Sequence, residues 1–430
     1  MRIWLVNHYA LPPSEPGGTR HYALARELIR CGHDVTVIAS SFNHATGKQI
    51  SCAHGKTSTF ERVGDVPFLL LRVPAYRRNL ARLWNMVVFA FEVWMGVGTR
   101  KMRKPDIVIG SSLTLFAAVA AERVARRMRV PFVMEIRDLW PQTLIDMGMS
   151  TYHPAVVGFG MIERYLYRHA DKIVTLLPNA SEYIVPRGAQ PNDITWIPNG
   201  VDVDQMPCPH IPTPHDVFTV MYAGSHGLAD ALDSVLDAAA ILNKEAPGRI
   251  CFCFVGDGPN KLGLRRRVET EHIGNVVFHD PVPKWEVFSK LQDADAFIIT
   301  WKKTDLYRYG VSPNKIHEYM AAARPTIFAG KAHNNPIAEA AAGITVAPED
   351  ARAIAAAVQK LAAMSIDERW NMGLSARKYV EEHHDFSVLA LRLERVLRSA
   401  LASPEDVQTV AQNIDADHNA ALKVNNAPTQ

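Results

Sequence analysis

Along most of this chain, short apolar runs alternate with longer stretches in which apolar residues recur every three or four positions. An uninterrupted apolar run suits a strand buried on both faces, and the three-to-four spacing is one face of a helix, so the alternation predicts parallel sheets wrapped by helices. In the first half the strand candidates are 2–7, 34–39, 106–111, 130–136, 172–177 and 194–198. Helices over about 19–31, 113–127 and 156–169 separate several of them, the first stopped by Gly32. Residues 207–214 hold four prolines and read as a linker. The pattern then restarts, with strand candidates at 217–223, 250–255, 275–279, 296–300, 326–329 and 344–346. The expected class is α/β, with two doubly wound parallel sheets that present ligand sites at the carboxyl ends of their strands. After Asp385 comes a last amphipathic stretch, and 403–430 lose all periodicity and are rich in Asn, Asp, Ala and Gln, which predicts a disordered tail.

Composition fits this picture and narrows it. A chain of 430 residues exceeds one ordinary core and predicts two domains. The hydrophobic share of 48% and charged share of 21% are globular, and a net charge of +3 excludes a global nucleic-acid footprint. Cys31, Cys52, Cys208, Cys251 and Cys253 show no metal-ligand spacing, and Cys251 and Cys253 would share one strand face. A reducing cytoplasm is the expected compartment, and the first residues enter a strand without signal-peptide architecture.

The densest chemistry lies in Ser312-Pro313-Asn314-Lys315-Ile316-His317-Glu318-Tyr319-Met320, opened as a helix by Pro313, closed by Ala321 to Ala323 and followed by an apolar run from Thr326. A helix start points unpaired N–H groups and its positive dipole end at whatever precedes it, which favours a phosphate. Lys315 adds a full charge there, and an ionised Glu318 can accept from two vicinal hydroxyls. Diphosphate plus ribose describes a nucleotide sugar; a Lys and a Glu three apart on a short helix equally describe a solvated pair. With its flanks, the run resembles the nucleotide-sugar motif of glycosyltransferase family 4, retaining enzymes of the GT-B fold. The resemblance covers about residues 1–401. It implies an acceptor-binding domain over 1–203, onto which a helix at 385–402 crosses back, and a nucleotide-sugar domain over 204–384. It also implies no metal and no cofactor, the nucleotide sugar being a substrate.

Several loops after strands carry further candidates. In Pro12 to His21 the pair Gly17-Gly18 precedes a helix, which lets backbone approach a bound group or simply makes a turn. The dinucleotide fingerprint is absent, because no third glycine follows and no acid ends the second strand. The resemblance places Gly17, Gly18 and Arg20 beside the diphosphate and acceptor. The strand at 130–136 runs into Glu135-Ile136-Arg137-Asp138-Leu139-Trp140-Pro141. Charges there are poorly explained by packing, although an Arg137–Asp138 or Glu135–Arg137 ion pair would account for them. A functional reading puts Asp138 or Arg137 over the acceptor; Asp-Leu-Trp-Pro is similar to a motif in a polysaccharide-assembly branch of the family, and Asp138 is the expected acceptor-side catalytic residue. In the second half, Tyr222-Ala223-Gly224-Ser225-His226-Gly227 resembles the glycine turn under the diphosphate, which implicates Gly224, Ser225 and His226. Gly256 and Lys261 come from Gly256-Asp257-Gly258-Pro259-Asn260-Lys261, Asn314 adjoins Lys315, and Val282-Pro283 is expected at the base, uracil by resemblance.

Two departures from the family pattern stand out. The Arg and Lys that many members carry beyond the glycine turn are replaced by Leu228-Ala229-Asp230-Ala231-Leu232-Asp233, so the leaving diphosphate must be neutralised elsewhere. Lys315 ranks first, Lys261 next, with Arg308 as the remaining cation. The family also has two glutamates eight positions apart; Glu318 matches the later one and Gly310 stands for the earlier. Either that contact is dispensable in this branch or activity is lost, and Tyr307 to Lys315 looks like the loop of the branch sharing Asp-Leu-Trp-Pro.

Between Arg77 and Lys104 lie seven basic residues and one acid, Glu92, around an apolar middle with Trp84, Phe89, Phe91 and Trp94. This is too interrupted to span a membrane. It reads either as a helix covering the first sheet or as an interfacial helix on anionic lipid, which an acceptor linked to a polyprenyl diphosphate would require. No nucleophile–base dyad emerges from His8, His226 or His317. The function expected is transfer of a sugar from a nucleotide diphosphate, a UDP-sugar by resemblance, to a glycan or lipid-linked acceptor in cell-surface polysaccharide or O-antigen assembly. The protein would be cytoplasmic or peripheral on the membrane's inner face. The alternatives are a nucleotide-sugar epimerase of the same fold and a non-catalytic nucleotide-sugar-binding subunit, the latter motivated by Gly310.

Overall fold

In the computed structural model, residues 1–402 are described except 16, 45, 51–55, 77, 78, 113, 214 and 283. The expected tail at 403–430 lies outside the described residues, as do Cys52, Arg77, Arg78 and Pro283.

All six apolar runs of the first half become strands of one sheet, ordered Ile194–Trp196, Lys172–Thr175, Phe132–Ile136, Ile107–Ser111, Arg2–Val6, Asp34–Ser40, Val66–Leu71, Ser58–Val63. Neighbours run parallel except the last two, which form a hairpin from Ser58↔Leu71 to Val63↔Val66. The hairpin is absent from the expected elements. Its edge strand alternates weakly, with Phe60 turned out to solvent, and Pro67 cannot donate to a ladder, so both usual signals are faint. The second sheet is parallel throughout: Val276–His279, Ile250–Val255, Phe218–Ala223, Ala296–Thr300, Thr326–Ala329, Gly343–Val346.

Both sheets wind outward from their first parallel strand, so the order reverses beside Arg2–Val6 and again beside Phe218–Ala223. Connections then leave in opposite directions over the two faces, and a crevice opens at the carboxyl ends of those strands. Side-chain alternation fills both faces. Ile3 and Leu5 pack with Leu24 and Leu28 of the helix Arg20–Arg30 and with Leu389, Leu393 and Leu397 of the last helix, Phe386–Leu401. Trp4 and Val6 face Phe89, Ala118, Ala121 and Leu166 on the other side. The last helix therefore returns to the first sheet. Asp385 caps it by accepting from the Ser387 amide at 2.7 Å, and its other oxygen accepts from the Val203 amide at 3.1 Å, tying together the two segments that pass between the sheets.

The apolar middle of the basic stretch is part of the helix Asn79–Met95, of which only one face is buried. Among the described residues no helix is long and apolar enough to cross a membrane.

Candidate active site

The helix Asn314–Ala321 is anchored through Tyr319, whose ring stacks on Phe297 at 4.3 Å. The Tyr319 hydroxyl donates to the Ala223 carbonyl at 2.8 Å and accepts from the Ala223 amide at 2.7 Å. This joins the helix to the end of Phe218–Ala223 and sets Lys315 over the glycine turn: a Cβ on Gly224 would lie 3.3 Å from Lys315 Cε. Lys315 Nζ donates to the Tyr222 hydroxyl at 2.6 Å and pairs with Asp230 at 2.6 Å. Asp230 also accepts from the Gly227 amide at 3.2 Å. The segment that lacks the family's cations thus returns an anion to the one cation at the helix start.

The second glycine turn serves packing. A Cβ on Gly256 would sit 2.0 Å from the Gly224 carbonyl oxygen, and one on Gly258 would sit 2.6 Å from that of His226, so the turns stack backbone on backbone. Four sequence expectations are corrected on that evidence and its counterpart in the first domain. Gly256 is buried beneath Gly224 and does not line the cleft. His226 is 0% exposed among Tyr222, Phe254 and Phe278, with its pKa lowered to about 4 by burial and by Lys261. Lys261 is buried, donating to the Gly256 carbonyl at 2.8 Å, the His279 carbonyl at 3.2 Å and Asp280 at 2.9 Å. Arg20 is buried as well, bonded to Glu135 at 2.9 Å and to the carbonyls of Ile197 and Pro198. Gly256, His226 and Lys261 hold the walls of the site from behind, and Arg20, although it borders the cleft lined by Glu318 and Asn314, spends its side chain on Glu135 and the two carbonyls.

Glu135 also meets His21 at 2.6 Å. Burial alone would raise its pKa, but His21 and Arg20 offset that and hold the carboxyl well below the ordinary range. Neither the Glu135–Arg137 nor the Arg137–Asp138 ion pair forms among the described residues; Glu135 spends its oxygens on Arg20 and His21.

A cleft of about 260 Å³ lies between the domains, walled by Arg137, Asp138 and Thr143 on one side and by Trp301, Tyr307 and Gly310 on the other. Asp138 reaches solvent, yet the crowding walls desolvate its carboxyl and push its pKa up, while Arg137 pulls it back. Gly18 stands where the walls meet: a Cβ there would be 3.9 Å from an Arg137 terminal nitrogen and 4.0 Å from Asn314 Nδ2. Gly17 turns the same loop back onto Leu11. The walls are stapled by Asn199, whose amide donates to Ser312 Oγ at 2.7 Å and whose side chain donates to the Ser312 carbonyl at 2.5 Å. A second cleft, about 340 Å³, opens on the other side of the helix start and is lined by Glu318, Asn314, Thr19, Gly200 and Phe288. Val282 belongs to the same apolar cluster as Phe288. Ser225 is exposed beside Gly224.

Gly310 has φ of +106°, and a Cβ would strike Pro178 Cδ at 2.4 Å. No glutamate fits this backbone, so the loop is built for a glycine. Sequence reasoning missed Asp230, Tyr222 and Tyr319 as site residues. Their partners are far away in the chain, and the tyrosines read only as apolar positions in buried runs.

Comparison with known proteins bears on the family and the fold. Residues 17–200 match the family described as "Glycosyl transferase 4-like domain", and 217–364 match "Glycosyl transferases group 1". The putative colanic acid biosynthesis glycosyl transferase WcaI of Escherichia coli K12 is 22% identical over 314 residues, 67% of this chain and 74% of the relative. An N-acetylglucosamine transferase of Rhodospirillum rubrum that acts on a pyrophosphoryl-undecaprenol acceptor is 28% identical over 194 residues, 43% of this chain and 45% of the relative. Among solved structures, sucrose-phosphate synthase from Thermosynechococcus elongatus has a TM-score of 0.71 at 15% identity, covering 93% of this chain and 98% of its own. Anabaena HepE in complex with UDP and glucose has a TM-score of 0.66 at 13% identity, covering 93% and 100%. Matched in order over both domains, and folded as two facing doubly wound sheets, the chain belongs to the GT-B glycosyltransferases of the family 4 type.

Proposed function

We propose that this chain is a retaining transferase that moves a sugar from a UDP-sugar onto a glycan or lipid-linked acceptor in cell-surface polysaccharide assembly, of which O-antigen is one kind. The observation that carries this reading is the start of Asn314–Ala321, where Asn314 meets the Gly18 loop of the opposite domain, Glu318 lines the cleft beside it and Lys315 lies over the Gly224 turn. The description of the Escherichia coli relative supports the pathway class, and the UDP in the Anabaena complex supports the donor.

In this reading the diphosphate lies over Gly224 and Ser225 near Lys315 and Asn314, the ribose meets Glu318, and the base lies towards Val282 and Phe288. The sugar enters the Asp138 cleft. As the acceptor oxygen bonds to the anomeric carbon, the bond to the leaving phosphate oxygen breaks and its electrons stay on that oxygen. Attack comes from the same face, so the departing oxygen can take the acceptor proton. The protein supplies orientation and charge stabilisation, with Asp138 directing the acceptor hydroxyl.

A membrane-bound acceptor is supported by the helix Asn79–Met95. Leu80 is 83% exposed, Trp84 59% and Phe91 56%, with Val87 and Trp94 on the same outer face. Exposed Arg100, Arg103 and Lys104 follow, and Arg127 reaches across from the next helix to the Trp94 carbonyl at 2.8 Å. Aromatics flanked by cations fit an anionic bilayer surface.

Transfer from a panel of UDP-sugars to polyprenyl-diphosphate glycans, with product stereochemistry read by NMR, tests the reaction. An Asp138→Asn variant should lose most transfer and keep UDP affinity near the starting value; parallel loss of both moves Asp138 out of the acceptor role. Wild-type protein should co-sediment with anionic vesicles at low salt and less so with Trp84→Ser and Phe91→Ser together. Indifference of the wild type to such vesicles removes the membrane part of the reading.

A further inference from the structure

A nucleotide diphosphate brings negative charge that grows on the leaving oxygen as the glycosidic bond breaks, and a site of this kind needs cations aimed at it. The cations around this cleft are mostly committed. Lys315 is paired with Asp230, Lys261 with Asp280 and two carbonyls, and Arg20 with Glu135. Arg308 donates to the Tyr309 hydroxyl at 2.7 Å and lies over that ring.

Arg137 differs from all of these. Its backbone amide is fixed by Ser112 Oγ at 3.2 Å at the end of Phe132–Ile136. Its side chain lines the interdomain cleft and brings a terminal nitrogen beside Gly18, across from Asn314 at the start of the second domain's site helix. Its Nε is buried with no hydrogen-bond partner among the described residues. Of the two carboxylates that feel its charge, Glu135 is already held by Arg20 and His21, and Asp138 makes no hydrogen bond to it among the described residues. Buried donors are almost always satisfied, so an unsatisfied guanidinium nitrogen at the meeting point of two domains is a place for an absent acceptor oxygen. A guanidinium also matches the paired oxygens of phosphate in one plane, which an ammonium does not.

We infer that Arg137, reaching from the first domain, receives the donor's diphosphate and stabilises the charge on the departing phosphate oxygen, taking over the work of the cations absent after Gly224. The inference rests on the nucleotide-sugar reading of the site. It makes the diphosphate a bridge, held by Asn314 and Lys315 from one domain and by Arg137 from the other.

Calorimetry on the full chain tests this with three probes: UDP, uridine and inorganic pyrophosphate. Arg137→Gln should weaken UDP and pyrophosphate by roughly 10- to 100-fold and leave uridine unchanged, as expected for loss of a charge-assisted pair. Arg137→Lys should recover part of the loss, and millimolar guanidinium added to Arg137→Ala should restore turnover, which a merely structural arginine would not allow. Melting curves identify any variant that fails to fold, in which case the Lys variant carries the comparison. UDP affinity unchanged within twofold in a folded Gln variant overturns the inference, and so does an effect confined to the acceptor KM. If wild type binds pyrophosphate in an Arg137-dependent way but ignores UDP and other nucleoside diphosphates, the donor reading fails while the anion role of Arg137 stands.

Discussion

Two lysines stand at helix starts in the second domain: Lys261, first residue of Lys261–Thr270, and Lys315, second residue of Asn314–Ala321. Each comes after a glycine-bearing loop, and each is a candidate for the diphosphate on sequence grounds alone. Lys261 gives its three hydrogens to Gly256, His279 and Asp280; two of those acceptors are backbone carbonyls, and the His279 carbonyl also accepts from the Gly256 amide at 3.4 Å. Lys315 has a hydroxyl and a carboxylate for partners, both on side chains, the Tyr222 ring buried and the Asp230 carboxylate partly exposed. A phosphate can displace side-chain partners, but displacing backbone partners means undoing the turn. The helix start sets up a local field; the partners decide whether the lysine is available to a ligand or already part of the fold.

Breaking the contrast at Lys315 should give the largest effect. Lys315→Ala is expected to weaken UDP by about 1.5–3 kcal/mol, as for a hydrogen bond to a charged group, with uridine affected far less and the melting temperature nearly unchanged. Glu318→Gln should cost UDP a similar amount, and here uridine should weaken in parallel because the ribose is the group lost. Calorimetry on both nucleotides separates these; equal losses of UDP and uridine in Lys315→Ala would take the lysine away from the diphosphate.

The counterpart at Lys261 should show the opposite balance. Lys261→Ala takes the side-chain donor from the Gly256 carbonyl and leaves the His279 carbonyl only the Gly256 amide, which is expected to lower stability by about 2 kcal/mol in urea denaturation. The UDP affinity of the fraction that folds should stay within a few-fold of wild type. A stable variant with collapsed UDP affinity would make the two lysines equivalent after all.

The same neighbourhood has a pH signature. His226 has its pKa lowered to about 4 by burial and by Lys261, below the ordinary value of 6.5. Above pH 6.5 the ring is neutral in both folded and unfolded chains and contributes no pH dependence. Between 6.5 and 4 the unfolded chain binds the proton and the folded chain does not, so stability falls as pH falls. The slope is about 1.4 kcal/mol per pH unit for this one group. His8 and His384, lowered to about 3 and about 4 by burial, add slopes of the same sign. Replacing His226 with Phe, among the rings of Tyr222, Phe254 and Phe278, should flatten the acid limb by one histidine's share. An unaltered slope in that variant would mean that His226 is open to protons in the folded chain.

How much of this was legible beforehand follows from range along the chain. The strands were readable because burial on both faces leaves an uninterrupted apolar run, and the helix at Asn314 was readable because Pro313, Lys315 and Glu318 lie within one turn or so. The hairpin Ser58–Val63 with Val66–Leu71 was not, because an edge strand carries little of that signal. Availability of a charge was not legible either. Arg20 looked like a ligand group beside two glycines until Glu135, on a strand deep in the sheet, was found against it. Gly310 looked like a lost glutamate until its φ showed a turn that only glycine takes without strain. His226 fitted a ligand loop in sequence, but its ring turns back into the core. In each case the deciding partner is a residue that no local window contains.

The contrast between the lysines depends on Asp230 being a partner that can be exchanged, and its removal sharpens or ends the comparison. Asp230→Asn keeps the size of the side chain and one acceptor oxygen, for either Lys315 or the Gly227 amide since the two use different carboxylate oxygens, while deleting the charge that competes with phosphate for Lys315. A unit charge removed within contact distance of the bound anion is worth on the order of 1 kcal/mol at a rim that water reaches, so UDP should bind about fivefold more tightly. The gain should shrink as salt rises, because screening weakens the repulsion being relieved. Uridine should not respond. If UDP instead binds more weakly to Asp230→Asn, the carboxylate is the pillar that aims Lys315 at the site. Lys315 would then be as fixed by its partner as Lys261 is, and the two helix starts would differ only in which face of the turn they occupy.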